Sequence, residues 1–151
     1  MADLHAINDA INKKAGRKLL PSIAVSLLLL GLIFGTINTA PILFFAFIWI
    51  VIMIGIREIT AAYGKGGIDL PDYVLMIAAT VLLVATWNGN TQGLAVSAGL
   101  MIPILMFTLL VISQKDFIKR STSAVFITFY LAVLGGFILL LANHPDGAKR
   151  I

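Results

Sequence analysis

The side chains able to take part in chemistry are few in this 151-residue chain, and they sit outside its apolar stretches. The densest group is Lys115-Asp116-Phe117-Ile118-Lys119-Arg120-Ser121-Thr122-Ser123, with three cations and three hydroxyls in nine residues. Such a group suits a phosphate-bearing lipid headgroup, because ammonium and guanidinium donors hold phosphate through charge-assisted hydrogen bonds. Lys119 and Arg120 are the headgroup candidates. The same run also reads as a plain topology signal, with Ser121 or Thr122 capping the helix that follows. Arg57-Glu58 is a second charged group, either an anchoring pair at headgroup level or a pair facing a polar site.

Other chemistries find no footing. His5 and His144 are the only histidines, they lie near opposite chain ends, and there is no cysteine, so no metal site is expected. Six Asp and the single Glu58 are scattered too widely for adjacent carboxylates to hold magnesium. Gly64-Lys65-Gly66-Gly67 lacks the spacing of a phosphate-binding loop and reads as a flexible surface loop ending at Pro71. No catalytic residue is assigned. The balance of 11 Lys+Arg against 7 Asp+Glu reads as loops facing anionic lipid rather than nucleic acid.

The elements that position these groups follow from composition. With 60% apolar and 12% charged residues, against about 25% charged in soluble chains, and a mean hydropathy of +1.01, the solvent is a bilayer. Runs free of Asp, Glu, Lys, Arg and His cover residues 19–37, 41–56, 74–87, 94–112 and 125–142, with lengths of 19, 16, 14, 19 and 18. About 20 helical residues cross a 30 Å hydrocarbon core. The expected architecture is therefore an all-α, polytopic transmembrane bundle of five spans, at about 19–37, 41–56, 73–88, 94–112 and 124–142. The third is short and must borrow Asp72, Tyr73 and Asn88 at its ends. With the N-terminus inside and the C-terminus outside, nine cations lie inside and only Lys149 and Arg150 outside. A multi-pass protein of the plasma membrane is expected.

Residues 1–18 form a basic cytoplasmic leader, with Leu4, Ile7 and Ile11 at helical spacing, and read as an interfacial amphipathic helix or a frayed tail. They are not a signal peptide, because the first apolar run is too long and Thr39-Ala40 is followed by Pro41. Spans without ionisable groups argue against ion pumps, proton-coupled carriers and voltage sensors, since one charge in the bilayer costs about 2.5–3.5 kcal/mol and is kept only for use. Ser26, Thr36, Thr80, Thr86, Ser97, Thr108 and Thr128 either bind a neutral solute or bond carbonyls one turn earlier. Gly31-x-x-x-Gly35 and Gly135-Gly136 are expected close-packing points within the bundle, or a dimer interface.

Four stretches together resemble phosphatidate cytidylyltransferase, also called CDP-diacylglycerol synthase, in its actinobacterial form. Gly16-Arg17-Lys18-Leu19-Leu20-Pro21 looks like that family's lead into its first span, and Arg57-Glu58 like the charged pair closing its second. Lys119-Arg120-Ser121-Thr122-Ser123-Ala124-Val125-Phe126 with Leu134-Gly135-Gly136-Phe137 is similar to the helix before the catalytic half, and Asp146-Gly147-Ala148-Lys149-Arg150-Ile151 to the lead into the next span. The family's Ser-Asp-Thr-Gly-Gly-Tyr, Ser-Pro-Lys-Lys-[Ser/Thr]-Trp-Glu-Gly and S-x-x-x-R-x-K-R-x-x-x-x-D-x-x-G motifs do not occur in this sequence.

The resemblance implies conversion of CTP and phosphatidate to CDP-diacylglycerol and pyrophosphate, with magnesium held by carboxylates of the other half. This chain is then expected to be the N-terminal membrane half, inactive alone, with residues 143–151 leading into the catalytic half. Its expected partners are membrane phosphatidate, CTP only through that other half, and in one arrangement a second copy in a homodimer. A self-contained membrane scaffold, or a carrier of a neutral solute, is the alternative.

Overall fold

The computed structural model describes residues 19–39, 41–112 and 114–143, and these form helices and their connections only. The helices are α1 (Leu19–Thr39), α2 (Pro41–Lys65), α3 (Asp72–Ile112), α4 (Phe117–Thr128) and α5 (Leu134–Ala142), with a five-residue π-helix, Phe129–Val133, joining α4 to α5. The all-helical expectation is met among these residues. The leader 1–18, both histidines, Lys149, Arg150 and residues 144–151 lie outside them, as does the side chain of Thr36.

Local chemistry sets the ends. Pro41 opens α2, where a missing N–H costs nothing. At the other end Ile68 N–H donates to the Tyr63 carbonyl (3.0 Å) and Gly67 N–H to the Gly64 carbonyl (3.0 Å), with Gly67 at φ 82°. This is a Schellman stop, which needs a left-handed residue at that point. Pro71 and Asp72 then start α3, with the Asp72 carboxylate accepting from Tyr73 N–H at 2.8 Å.

Three helices are long and apolar enough to cross a membrane: Pro41–Lys65, Asp72–Ile112 and the continuous rod Phe117–Ala142. The expectation of five separate spans is corrected on this count. The third and fourth expected spans fall in one 41-residue element whose backbone leaves helical geometry at Asn90 (φ 50°, ψ −137°). Asparagine tolerates this left-handed φ better than most residues.

At Asn90 the chain doubles back. Gly93 lies directly against the Ala85–Thr86 backbone, and a Cβ at Gly136 would meet both Leu94 and Leu82. Ile112 and Asp69 line one cleft, although a straight 41-residue helix would hold its ends about 60 Å apart. The connection between the third and fourth expected spans is thus compressed to a bend at one residue.

The core is the seam between α2, the two limbs of α3 and the final rod. Phe44, Ile48, Ile52 and Ile56 repeat every four residues on α2 and meet Leu75, Ala79, Leu82, Leu94, Leu105, Ile127 and Leu139 in one buried cluster. Phe45 and Trp87 pack with ring centroids 5.2 Å apart. Residues 21–32 of α1 are all exposed. Outward apolar side chains such as Phe107 (68% exposed) and Val111 (71%) are solvated only if the surroundings are hydrocarbon.

The close-packing points are only partly those expected. Gly135 meets Ile52 and Ile48, and Gly136 meets Leu94 and Thr86, so this pair does seat the final rod. At Gly31 nothing among the described residues lies within 4 Å of where a Cβ would stand, so this position shows no such close approach.

Candidate functional site

The turn after α2 and the connection between α3 and α4 meet at one end of the bundle. They enclose a cleft of about 630 Å³ lined by Gly66, Gly67, Ile68, Asp69, Ile112, Lys115, Asp116, Lys119 and Arg120. Asp116 is held at φ 51°, which reverses the chain so that α4 starts at Phe117 and carries Lys119 and Arg120 back over the turn. Arg120 N–H donates to the Asp116 carbonyl at 3.0 Å. The half-buried Arg120 side chain reaches across, and its Nε donates to the Asp69 carbonyl at 2.8 Å. Lys119 is exposed. The structure therefore brings both headgroup candidates into one cleft and adds Lys115 and the Gly66–Gly67 backbone beside them.

One expectation about these residues is corrected. Ser121 and Thr122 do not cap the helix, because α4 begins at Phe117 with Asp116 before it and without a side-chain cap. Arg57 and Glu58, read as closing the second span, lie within α2, which runs on to Lys65. Arg57 lines an apolar groove of about 540 Å³ between α2 and the first limb of α3, with Trp49, Met53, Ile77 and Thr80. Neither Arg57 nor Glu58 lines the polar cleft, so of the two readings the anchoring pair is the one this geometry favours. In that groove Trp49 Nε1 donates to Thr80 Oγ1 at 2.9 Å, and the Thr80 hydroxyl donates to the Met76 carbonyl at 2.8 Å.

Most hydroxyls that could serve a neutral solute are already engaged. Those of Ser26, Thr80, Thr86, Ser97 and Thr108 donate to carbonyls four residues earlier. Thr128 departs from this pattern. Its Oγ1 and the Oγ of Ser121 are buried without a partner among the described residues. A second apolar groove, about 550 Å³, runs between the second limb of α3 and α4, lined by Ile102, Met106, Ser121, Thr122, Val125, Phe126, Phe129 and Tyr130.

The cleft suits an anion. A magnesium ion needs an octahedral shell of oxygen ligands, whereas the cleft sets Asp69 and Asp116 among three cations. No group of three His, Cys, Asp or Glu converges among the described residues. The residues present do not fit a resident divalent metal.

Sequence reasoning found Lys119 and Arg120 but missed their counterpart, the 66–69 turn. The readable signal was Gly66-Gly67 followed by Pro71, a helix stop that also exposes backbone carbonyls to a neighbouring cation.

Comparison with known proteins agrees with the resemblance drawn from the motifs. The chain is similar to the phosphatidate cytidylyltransferase of Mycobacterium leprae, 24% identical across 91% of this chain and 49% of the relative. It thus spans about half the length of that relative. No solved structure matches it. The profile of the cytidylyltransferase family matches residues 21–151, nearly the whole sequence. The chain belongs to the cytidylyltransferase family.

Proposed function

We propose that this chain forms the membrane bundle of a CDP-diacylglycerol synthase, and that its polar cleft receives the phosphate of phosphatidate between Lys119, Arg120 and the 66–69 turn. The observation that carries the proposal is the placement of three cations, Lys115, Lys119 and Arg120, around one cleft at the end of an apolar bundle. Charge-assisted donors are the strong ligands of a phosphate group. Arg120, anchored to the Asp69 carbonyl, positions the turn while Lys119 supplies an exposed ammonium.

The reading takes α2, both limbs of α3 and the final rod across the membrane. At 1.5 Å per residue the limbs 72–89 and 91–112 reach about 27 and 33 Å, enough to cross with little mismatch. All five described cations (Arg57, Lys65, Lys115, Lys119, Arg120) belong to the cleft half of the bundle. Asn90 and Asn143 meet at the other end, with Asn143 Nδ2 3.4 Å from Asn90 Oδ1. The cleft then faces the cytoplasm of a plasma-membrane protein. CTP and magnesium are handled by residues this chain does not contain, so alone it makes no CDP-diacylglycerol.

The test is co-expression with the segment of the Mycobacterium leprae protein that lies outside the match. The double substitution Lys119→Glu with Arg120→Glu should raise the KM for phosphatidate about tenfold or more, leaving kcat nearly unchanged, as loss of ground-state headgroup binding requires. An unchanged KM with normal insertion would reduce the patch to a topology signal. CTP-dependent product from the purified chain alone would refute the division of labour.

A further inference from the structure

Lys119 lines the polar cleft and stands about one helical turn before Thr122, which lines the second apolar groove, and we propose that this groove seats an acyl chain of the lipid whose phosphate Lys119 holds. The proposal rests on the phosphatidate reading and deepens it. Lys119, Thr122, Phe126 and Tyr130 are spaced by three, four and four residues, which places them on one stripe of the final helix. Lys119 lines the cleft, and the other three line the groove. Arg120 is about 100° further round the helix and is tied to the Asp69 carbonyl.

The dimensions fit one leaflet. Eleven residues separate Lys119 from Tyr130, about 16 Å of helix axis, close to half of a hydrocarbon core about 30 Å thick. Phe126 and Tyr130 lie nearly parallel, with centroids 5.8 Å apart and planes at 12°, and form a flat aromatic wall. Met106, whose thioether adapts to an irregular chain, faces it across the groove with Ile102. The lining carries no charge, and the one cation on its stripe stands at the mouth. That pattern complements a ligand with one anionic head and a long uncharged tail.

The experiment uses the full chain in nanodiscs of phosphatidylcholine, without CTP, carrying a small fraction of phosphatidate with a diazirine in the distal half of one acyl chain. After irradiation, adducts should map to Met106, Phe126 and Tyr130. Lys119→Gln should lower that labelling about fivefold, the effect of one lysine at a membrane surface. Lys65→Gln, which removes an exposed cation outside the cleft, should leave it unchanged. Thr122→Trp, on an exposed residue of the groove, should abolish it with normal thermal stability. Equal labelling of these residues by diazirine-phosphatidylcholine, or insensitivity to Lys119→Gln, would show ordinary annular lipid and overturn the proposal. Because no nucleotide is involved, loss of the seat alongside a retained KM effect would leave the proposed function standing. Normal labelling beside an unchanged KM would remove that function and keep the seat.

Discussion

The hairpin in α3 makes a demand on Gly93 that can be weighed in advance. In an ordinary exposed helix, Gly→Ala stabilises by about 1 kcal/mol. At Gly93 a Cβ would overlap the Ala85 carbonyl oxygen and stand 2.8 Å from its carbon, both backbone atoms of the facing limb. Backbone within a helix cannot rotate away as a side-chain tip can, so relief requires the two limbs to separate near the bend. Overpacking of this kind costs about 1–3 kcal/mol, and the rigid neighbour puts Gly93 at the upper end. After the propensity gain, Gly93→Ala should destabilise the bundle by about 2 kcal/mol. Gly99→Ala, on the same limb with nothing within 4 Å, should be neutral or stabilising by up to about 1 kcal/mol. Reversible unfolding in mixed micelles, titrated with a denaturing detergent and followed by tryptophan fluorescence, reads both. If Gly93→Ala proves as stable as Gly99→Ala, residues 72–89 and 91–112 do not pack face to face and the argument for the hairpin fails.

Three further outcomes follow from single observations. Thr128 is fully buried and its hydroxyl has no partner among the described residues, so Thr128→Val should stabilise by about 1 kcal/mol, and a loss of stability in the same assay would reveal a hidden partner. Trp49 and Thr80 share a hydrogen bond across the lipid-facing groove. A double-mutant cycle with Trp49→Phe and Thr80→Val should give a coupling of about 0.6 kcal/mol, the usual worth of such bonds in membranes, and zero coupling would mean that the bond is not made. Gly31→Ala, where nothing among the described residues lies within 4 Å of the new Cβ, should be neutral or stabilising by up to about 1 kcal/mol and leave oligomeric state unchanged; a change of size by light scattering would mean that this face is an interface between copies.

How far the fold was legible depended on whether local composition or tertiary contact decided each feature. The helices followed from apolar runs whose backbone groups have no other partner in a bilayer, and the clustered cations gave the polar end. The apolar runs mark where the chain leaves the hydrocarbon, not where its helices end. Arg57 and Glu58 leave the hydrocarbon but are good helix formers, so α2 continues to Lys65. Residues 119–123 are polar, yet α4 already includes them.

A reversal between the third and fourth spans was expected, but its tightness at Asn90 was hidden because Asn88-Gly89-Asn90-Thr91-Gln92-Gly93 looks like an ordinary loop, and how tight it is depends on what faces Gly93. The same reason separates Gly135-Gly136, which pack closely, from Gly31, where a Cβ would meet nothing within 4 Å among the described residues. At the site, Lys119 and Arg120 were visible as charges. The Asp69 carbonyl that positions Arg120 is a backbone group 51 residues away, and no local pattern announces such a partner.

The central claim is that the two limbs of α3 cross the membrane in opposite directions and place the cation-lined cleft on one side. The natural sequence has no cysteine, so single substitutions Gly66→Cys, Gln92→Cys and Gln114→Cys can each be labelled from either side of sealed vesicles with a membrane-impermeant maleimide. Gly66 and Gln114 should react from the same side and Gln92 only from the opposite one. Reaction of Gln92 and Gln114 from the same side would contradict the account.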